Sequence, residues 1–142
     1  MTLPFAEPPT ASLRRTTGIL LLTGALAFAG SATLLSATFD WPDILRQPAS
    51  VVLPSFSDGG DALVWTWFAT VWTYAILLVP ILLLSSGLAR PQDAVLRAAT
   101  WVGAISVVLS LIGFLRWVFV VPPLAAAYEA GDETTRAAVD AA

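Results

Sequence analysis

Apolar and polar residues in this chain fall into long blocks rather than alternating. Three apolar blocks cover residues 18–39, 62–88 and 98–121. Each exceeds the roughly 20 residues that an α-helix needs to cross a ~30 Å hydrocarbon layer. Hydrocarbon offers no partner to backbone N–H and C=O groups, so a segment of that length must satisfy its own hydrogen bonds as a helix. The pattern therefore predicts an all-α polytopic transmembrane bundle with three spanning helices and short interfacial helices between them. It divides the chain into a flexible tail over residues 1–12, a transmembrane domain over 13–125 and a polar tail over 126–142 that opens a further helix.

The polar blocks carry the punctuation. Pro4, Pro8 and Pro9 break up the first tail, and Arg14 and Arg15 stand just before the first apolar block. Ala27-Phe28-Ala29 resembles the small-x-small site of a cleaved signal peptide, and Arg14-Arg15 a twin-arginine leader. The apolar run continues past that site for about ten residues, which suits a retained anchor, and two further apolar blocks follow. In the first connector, Asp40 is a cap for a short helix with Pro42 early in it, and Val51, Val52 and Leu53 suit a second turn. Asp61 is a candidate N-cap for the second span. Trp41, Trp65, Trp67 and Trp72 suit a membrane interface. Pro80 lies deep in the second span. It lacks the donor that would reach the Ile76 carbonyl, so a kink is expected there. The third span is expected to stop at Pro122-Pro123, and Asp132 with Thr134 and Thr135 suits a new helix start.

Composition narrows the chemistry. Hydrophobic residues make up 57% of the 142 and charged residues only 12%, about half the charge of a typical soluble domain. There is no Cys and no His, which removes thiolate chemistry, disulfides and the commonest general base and metal ligand. No pair of carboxylates lies inside a span, so no catalytic residue, cofactor or metal is expected. All seven basic residues are Arg, and the net charge of −3 argues against a nucleic-acid partner. Arg14, Arg15, Arg90 and Arg97 flank the outer limits of the first two spans, whereas the first connector holds Arg46 against Asp40, Asp43, Asp58 and Asp61. The positive-inside rule then puts the N-terminus and second connector in the cytoplasm, and the first connector and C-terminal tail outside. The expected location is the cell membrane, multi-pass.

Two kinds of side chain stand out within the spans. Small residues repeat along single faces: Gly24 and Ser31 on the first span, and Gly103, Ser106, Ser110 and Gly113 on the third. Such stripes let membrane helices approach closely, so they are expected to join the first span to the third; a polar path for a solute is the alternative. Thr66, Thr70 and Thr73 form a third stripe. Membrane threonines usually bond back to their own helix, though this face could instead line a pocket at the Pro80 kink. Arg116 is the only charge inside a span. An ionisable group in hydrocarbon marks a functional site by default, but Arg116 lies about two helical turns before Pro122. From there it can snorkel to water or pair with Asp40, Asp43, Asp58 or Asp61.

The run Gly113-Phe114-Leu115-Arg116-Trp117-Val118-Phe119-Val120-Val121-Pro122-Pro123-Leu124-Ala125, with the upstream Trp41-Pro42-Asp43-Ile44-Leu45-Arg46, resembles the bacterial membrane proteins called domain of unknown function 4386. The resemblance implies a membrane helical fold and no defined activity. It also implies further helices beyond residue 142, and hence an N-terminal part of a larger bundle or a chain that self-associates. The function expected from the residues is a structural, assembly or regulatory role through helix–helix contacts. Its partners would be the lipid bilayer and other membrane helices or copies of itself. The competing expectation is part of a transporter or small-ligand sensor that uses Arg116 and the acidic outer connector.

Overall fold

The computed structural model describes residues 11–88 and 93–140. Among them every regular element is helical. In chain order these are α1 (Ala11–Phe39), a 3-10 turn (Asp43–Arg46), α2 (Ala49–Ala75), α3 (Leu78–Gly87), α4 (Ala94–Phe119), α5 (Val121–Ala130) and α6 (Glu133–Asp140). Three stretches are long and apolar enough to cross a membrane: Ala11–Phe39, Ala49–Gly87 and Ala94–Ala130. Only 11%, 17% and 17% of their most apolar windows are buried. Most of the apolar surface, including Leu22, Leu26, Trp101 and Leu109, faces outward, as a lipid-facing bundle requires and a water-soluble core would not.

The spans are longer than the apolar blocks because interfacial helices fuse onto their ends. The first helix begins at Ala11, inside the expected tail; residues 1–10 of that tail, like Arg90 of the second connector, lie outside the described residues. The second span begins at Ala49, not after Asp61, and runs through the turn expected around Val51. It bends at Gly60, whose φ of 54° is open to glycine at little cost, so Asp61 follows a bend rather than capping a free end. Asp40 also acts differently from the expectation. Its φ of 51° ends α1, and its backbone carbonyl, not its side chain, accepts the Ile44 N–H at 2.9 Å.

Proline sets the other two breaks. Helix α2 stops at Ala75 and α3 resumes at Leu78. Pro80 cannot donate to the Ile76 carbonyl, which instead accepts the Val79 N–H at 3.3 Å; the kink falls where the missing donor puts it. At Pro122-Pro123 the chain bends without ending. Both prolines occupy the first turn of α5, where a missing N–H costs nothing, and Leu124 N–H resumes bonding to the Val120 carbonyl at 3.3 Å. The expected later helix start is present: Asp132 Oδ1 accepts both the Thr135 N–H and the Thr135 hydroxyl at 2.9 Å. Arg136 then donates to the Tyr128 carbonyl at 3.1 Å, which folds α6 back onto the end of α5.

Small residues do permit close approach, but to the second span. A Cβ on Gly24 would sit 2.7 Å from Leu77 Cδ2, and one on Gly103 3.1 Å from Ile81 Cγ2. The Ser31 and Thr73 hydroxyls meet at 3.1 Å between α1 and α2. Gly24 and Gly103 thus pack on the second span, correcting the expectation that the stripes join the first and third spans directly; those two meet instead through Phe28–Phe114 and Phe39–Trp117. Leu77 and Ile81, just before and just after Pro80, fill the space that Gly24 and Gly103 leave. Ser106 is exposed, and a Cβ on Gly113 would meet nothing within 4 Å.

Candidate functional site

The buried core is concentrated where α1 ends, α2 begins and α4 turns into α5. Leu35, Phe39, Ile44, Leu53, Phe56, Leu63, Trp67 and Ala125 form it. Trp67 is fully buried and lies flat on Trp117, with ring centroids 4.9 Å apart and planes 7° from parallel. Phe39 meets Trp117 edge-on at 5.4 Å, and Trp41 meets Trp67 edge-on at 6.5 Å. These distances are those of favourable aromatic pairs. Three elements far apart in sequence are therefore held together by rings.

Beside this cluster is a cavity of about 580 Å³. The spacing on α4 explains one wall: Ser110, Gly113, Phe114 and Trp117 recur at helical intervals and share a face. Gly113 contributes space because it has no side chain. Trp41, Leu45 and Gln47 of the connector, Leu53 of α2 and Val139 of α6 close the other sides. The first connector and the C-terminal helix are thus at one end of the bundle, as the two long helical stretches between them require. The walls are mostly apolar, with polar groups from Gln47, Ser110 and Arg116.

Arg116 lines this cavity and is exposed. Among the described residues no hydrogen bond or ion pair engages its side chain. The acidic partners considered from sequence are elsewhere: Asp43 pairs with Arg46 at 2.8 Å, and Asp40, Asp58 and Asp61 are exposed. The Asp43–Arg46 pair is itself solvent-exposed and contributes little. An unpaired guanidinium beside apolar walls presents five fixed donors, a geometry matched to carboxylate or phosphate oxygens.

The other sequence candidates separate clearly. Thr66, Thr70 and Thr73 bond back to Ala62, Thr66 and Thr70 carbonyls at 2.8, 2.8 and 3.0 Å. These are the bonds back to their own helix that membrane threonines usually make. Ser110 and Gly113 belong to the cavity, whereas Gly24, Ser31 and Gly103 belong to packing. No group of three or more acidic residues able to hold a metal ion occurs among the described residues. Sequence reasoning missed Trp67 as the centre of the core, and missed Gln47 and Val139 as cavity walls. Trp67 stands in the same aromatic run as Trp65 and Trp72, which are 67% and 59% exposed. Only its phase on α2, together with Leu63 and Thr70, distinguishes it.

No curated protein and no solved structure matches the chain. The sequence profile of one family does, over residues 16–142. That stretch includes the kinked second span and all of the α4–α5 face that carries Arg116. The chain belongs to the family described as domain of unknown function (DUF4386).

Proposed function

We propose that this protein is a membrane-embedded receptor for a small amphiphilic anion, acting as a sensor or regulator through its helix packing. The observation that carries the reading is the cavity of about 580 Å³ that joins apolar aromatic walls to the unpaired Arg116 guanidinium. Its size and lining resemble those of small-molecule sites, which are mainly apolar with a few convergent polar groups. A carboxylate or phosphate head would take the guanidinium fork, and a short apolar body would lie against Trp41, Trp117 and Leu53. A transporter reading has less support. Transport needs a polar site near the middle of the bilayer, and Thr70 and Thr73 at that depth are already bonded to carbonyls of their own helix. The arginine distribution supports a cytoplasmic N-terminus, so the cavity would open toward the outer side.

The test is quenching of tryptophan fluorescence by a bromine-labelled medium-chain carboxylate, since Trp41 and Trp117 line the cavity. Saturable quenching that Gly113→Leu abolishes supports the reading. Quenching that this variant leaves unchanged would refute it.

A second reading, association with other membrane helices, has its own support. Ser106 is exposed, and Gly18 and Gly30 have nothing within 4 Å of an added Cβ. Open small-residue faces are where membrane helices meet. The protein mass in detergent, corrected for bound detergent, distinguishes a monomer from a self-associated form.

A further inference from the structure

The opposite end of the bundle carries a second arrangement. Near the start of α1, Arg14, Arg15, Thr17 and Leu21 face Leu84, Gly87 and Leu88 at the end of α3 across a cleft of about 370 Å³. Both arginines are exposed, and among the described residues neither makes a hydrogen bond or ion pair. The nearby acid, Asp93, shares the adjoining cavity with Arg14, and its Oδ1 caps α4 by accepting the Val95 and Leu96 N–H groups at 3.0 and 3.1 Å. Among the described residues no carboxylate lines the cleft.

Thr17 is the independent observation. It is 5% exposed, and its Oγ1 is buried with no hydrogen-bond partner. Thr23, Thr33, Thr38, Thr66, Thr70 and Thr100 all bond back to the carbonyl four residues earlier. Thr17 does not. Its hydroxyl instead faces Gly87 on the cleft wall, 3.3 Å from where a Cβ of that glycine would lie. A buried donor left unpaired is costly, and an oxygen-rich ligand seated in the cleft would satisfy it.

We propose that this cleft binds the phosphate headgroup of an anionic membrane lipid. Arg14 and Arg15 hold the phosphate, the Thr17 hydroxyl donates to a headgroup or ester oxygen, and the acyl chain runs along Leu21 and Leu84. A lipid is favoured over free phosphate because the cleft's inner wall is leucine and lies within a membrane-spanning stretch. Basic residues at a membrane surface are drawn to anionic lipid in any case; the cleft and the buried hydroxyl turn that general attraction into a site.

The test is native mass spectrometry and thermal unfolding of the full chain with phosphatidylglycerol, with phosphatidylcholine, or with inorganic phosphate in neutral detergent. Phosphatidylglycerol should be retained about tenfold over phosphatidylcholine, because both carry the phosphate but the choline cation of the latter is repelled by the two guanidinium groups. Arg14→Gln with Arg15→Gln should bring that ratio near one. Thr17→Val keeps the charge and the shape, so it remains informative if the double variant folds poorly. It should lower phosphatidylglycerol retention severalfold and leave unfolding in phosphatidylcholine unchanged or improved. Equal retention of both lipids, or a preference that both variants leave unchanged, would overturn the site. Stabilisation by inorganic phosphate equal to that by phosphatidylglycerol would overturn its assignment to lipid.

Discussion

Trp67 offers a test in which two effects of similar size oppose each other. Its ring is fully buried, stacked on Trp117 at 4.9 Å and bordered by Phe39, Trp41 and Phe114 at 6.4, 6.5 and 6.1 Å. Trp67→Ala leaves a cavity among three helices and should cost about 3–5 kcal/mol. The lower half of that range is expected, because an unfolded chain in a micelle keeps much of its apolar shelter and the packing loss dominates. Trp67→Phe is different. It forfeits part of the ring and some of the stacking with Trp117, about 1–2 kcal/mol. It also removes the indole N–H, which is buried without a partner, and relieving such a group returns about 1–3 kcal/mol. The two nearly cancel, so the Phe variant should lie within about 1 kcal/mol of the parent. The assay is reversible unfolding in mixed micelles, followed by helical circular dichroism. A Phe variant as damaged as the Ala variant would refute the reasoning, because the indole nitrogen would then be contributing a bond.

Further outcomes follow from the same geometry. Gly24→Leu should destabilise by about 1–3 kcal/mol, since the new side chain collides with Leu77, while Gly113→Leu should leave unfolding nearly unchanged because it points into open space. With no native cysteine, Asp58→Cys and Thr134→Cys should react with a membrane-impermeant thiol reagent on intact cells and Ala11→Cys should not; the reverse pattern would invert the topology. Hydrogen bonds from the Thr135 backbone and hydroxyl hold the Asp132 carboxyl below its ordinary value. A lowered folded value means its capping of α6 is fully present above the ordinary carboxylate value and is lost as pH falls through the folded one, below about pH 4. Amide exchange in α6 should therefore quicken on acidification in the parent and be pH-independent, apart from the intrinsic rate, in Asp132→Ala.

The parts of the fold set by local chemistry were legible in the sequence. Apolar block length gave three spans, Pro80 gave the kink, and Asp132 with the following threonines gave the start of α6. What failed depended on contacts between distant segments. Helix α2 runs through Gly59-Gly60 because Leu53, Phe56 and Leu63 pack on one core from both sides of the bend, and no local signal reports that. The stripes of Gly24 and Gly103 were recognised, but their common partner was not, since Leu77 and Ile81 meet them only across helices in the folded chain. Arg116 stood out by charge alone. Its surroundings did not, because Trp41, Gln47 and Val139 come from three separate segments and meet only in the folded chain.

The most direct test of the Arg116 cavity compares a medium-chain carboxylic acid with the alcohol of the same chain length, titrated calorimetrically into the parent protein and Arg116→Gln. A charge-assisted fork to the guanidinium contributes about 1.5–3 kcal/mol, roughly ten- to a hundredfold in affinity. The parent should prefer the acid over the alcohol by about that factor, and Arg116→Gln should bind both alike, at the alcohol's affinity. Equal affinity for acid and alcohol in the parent, or a preference for the acid that survives Arg116→Gln, would contradict the account.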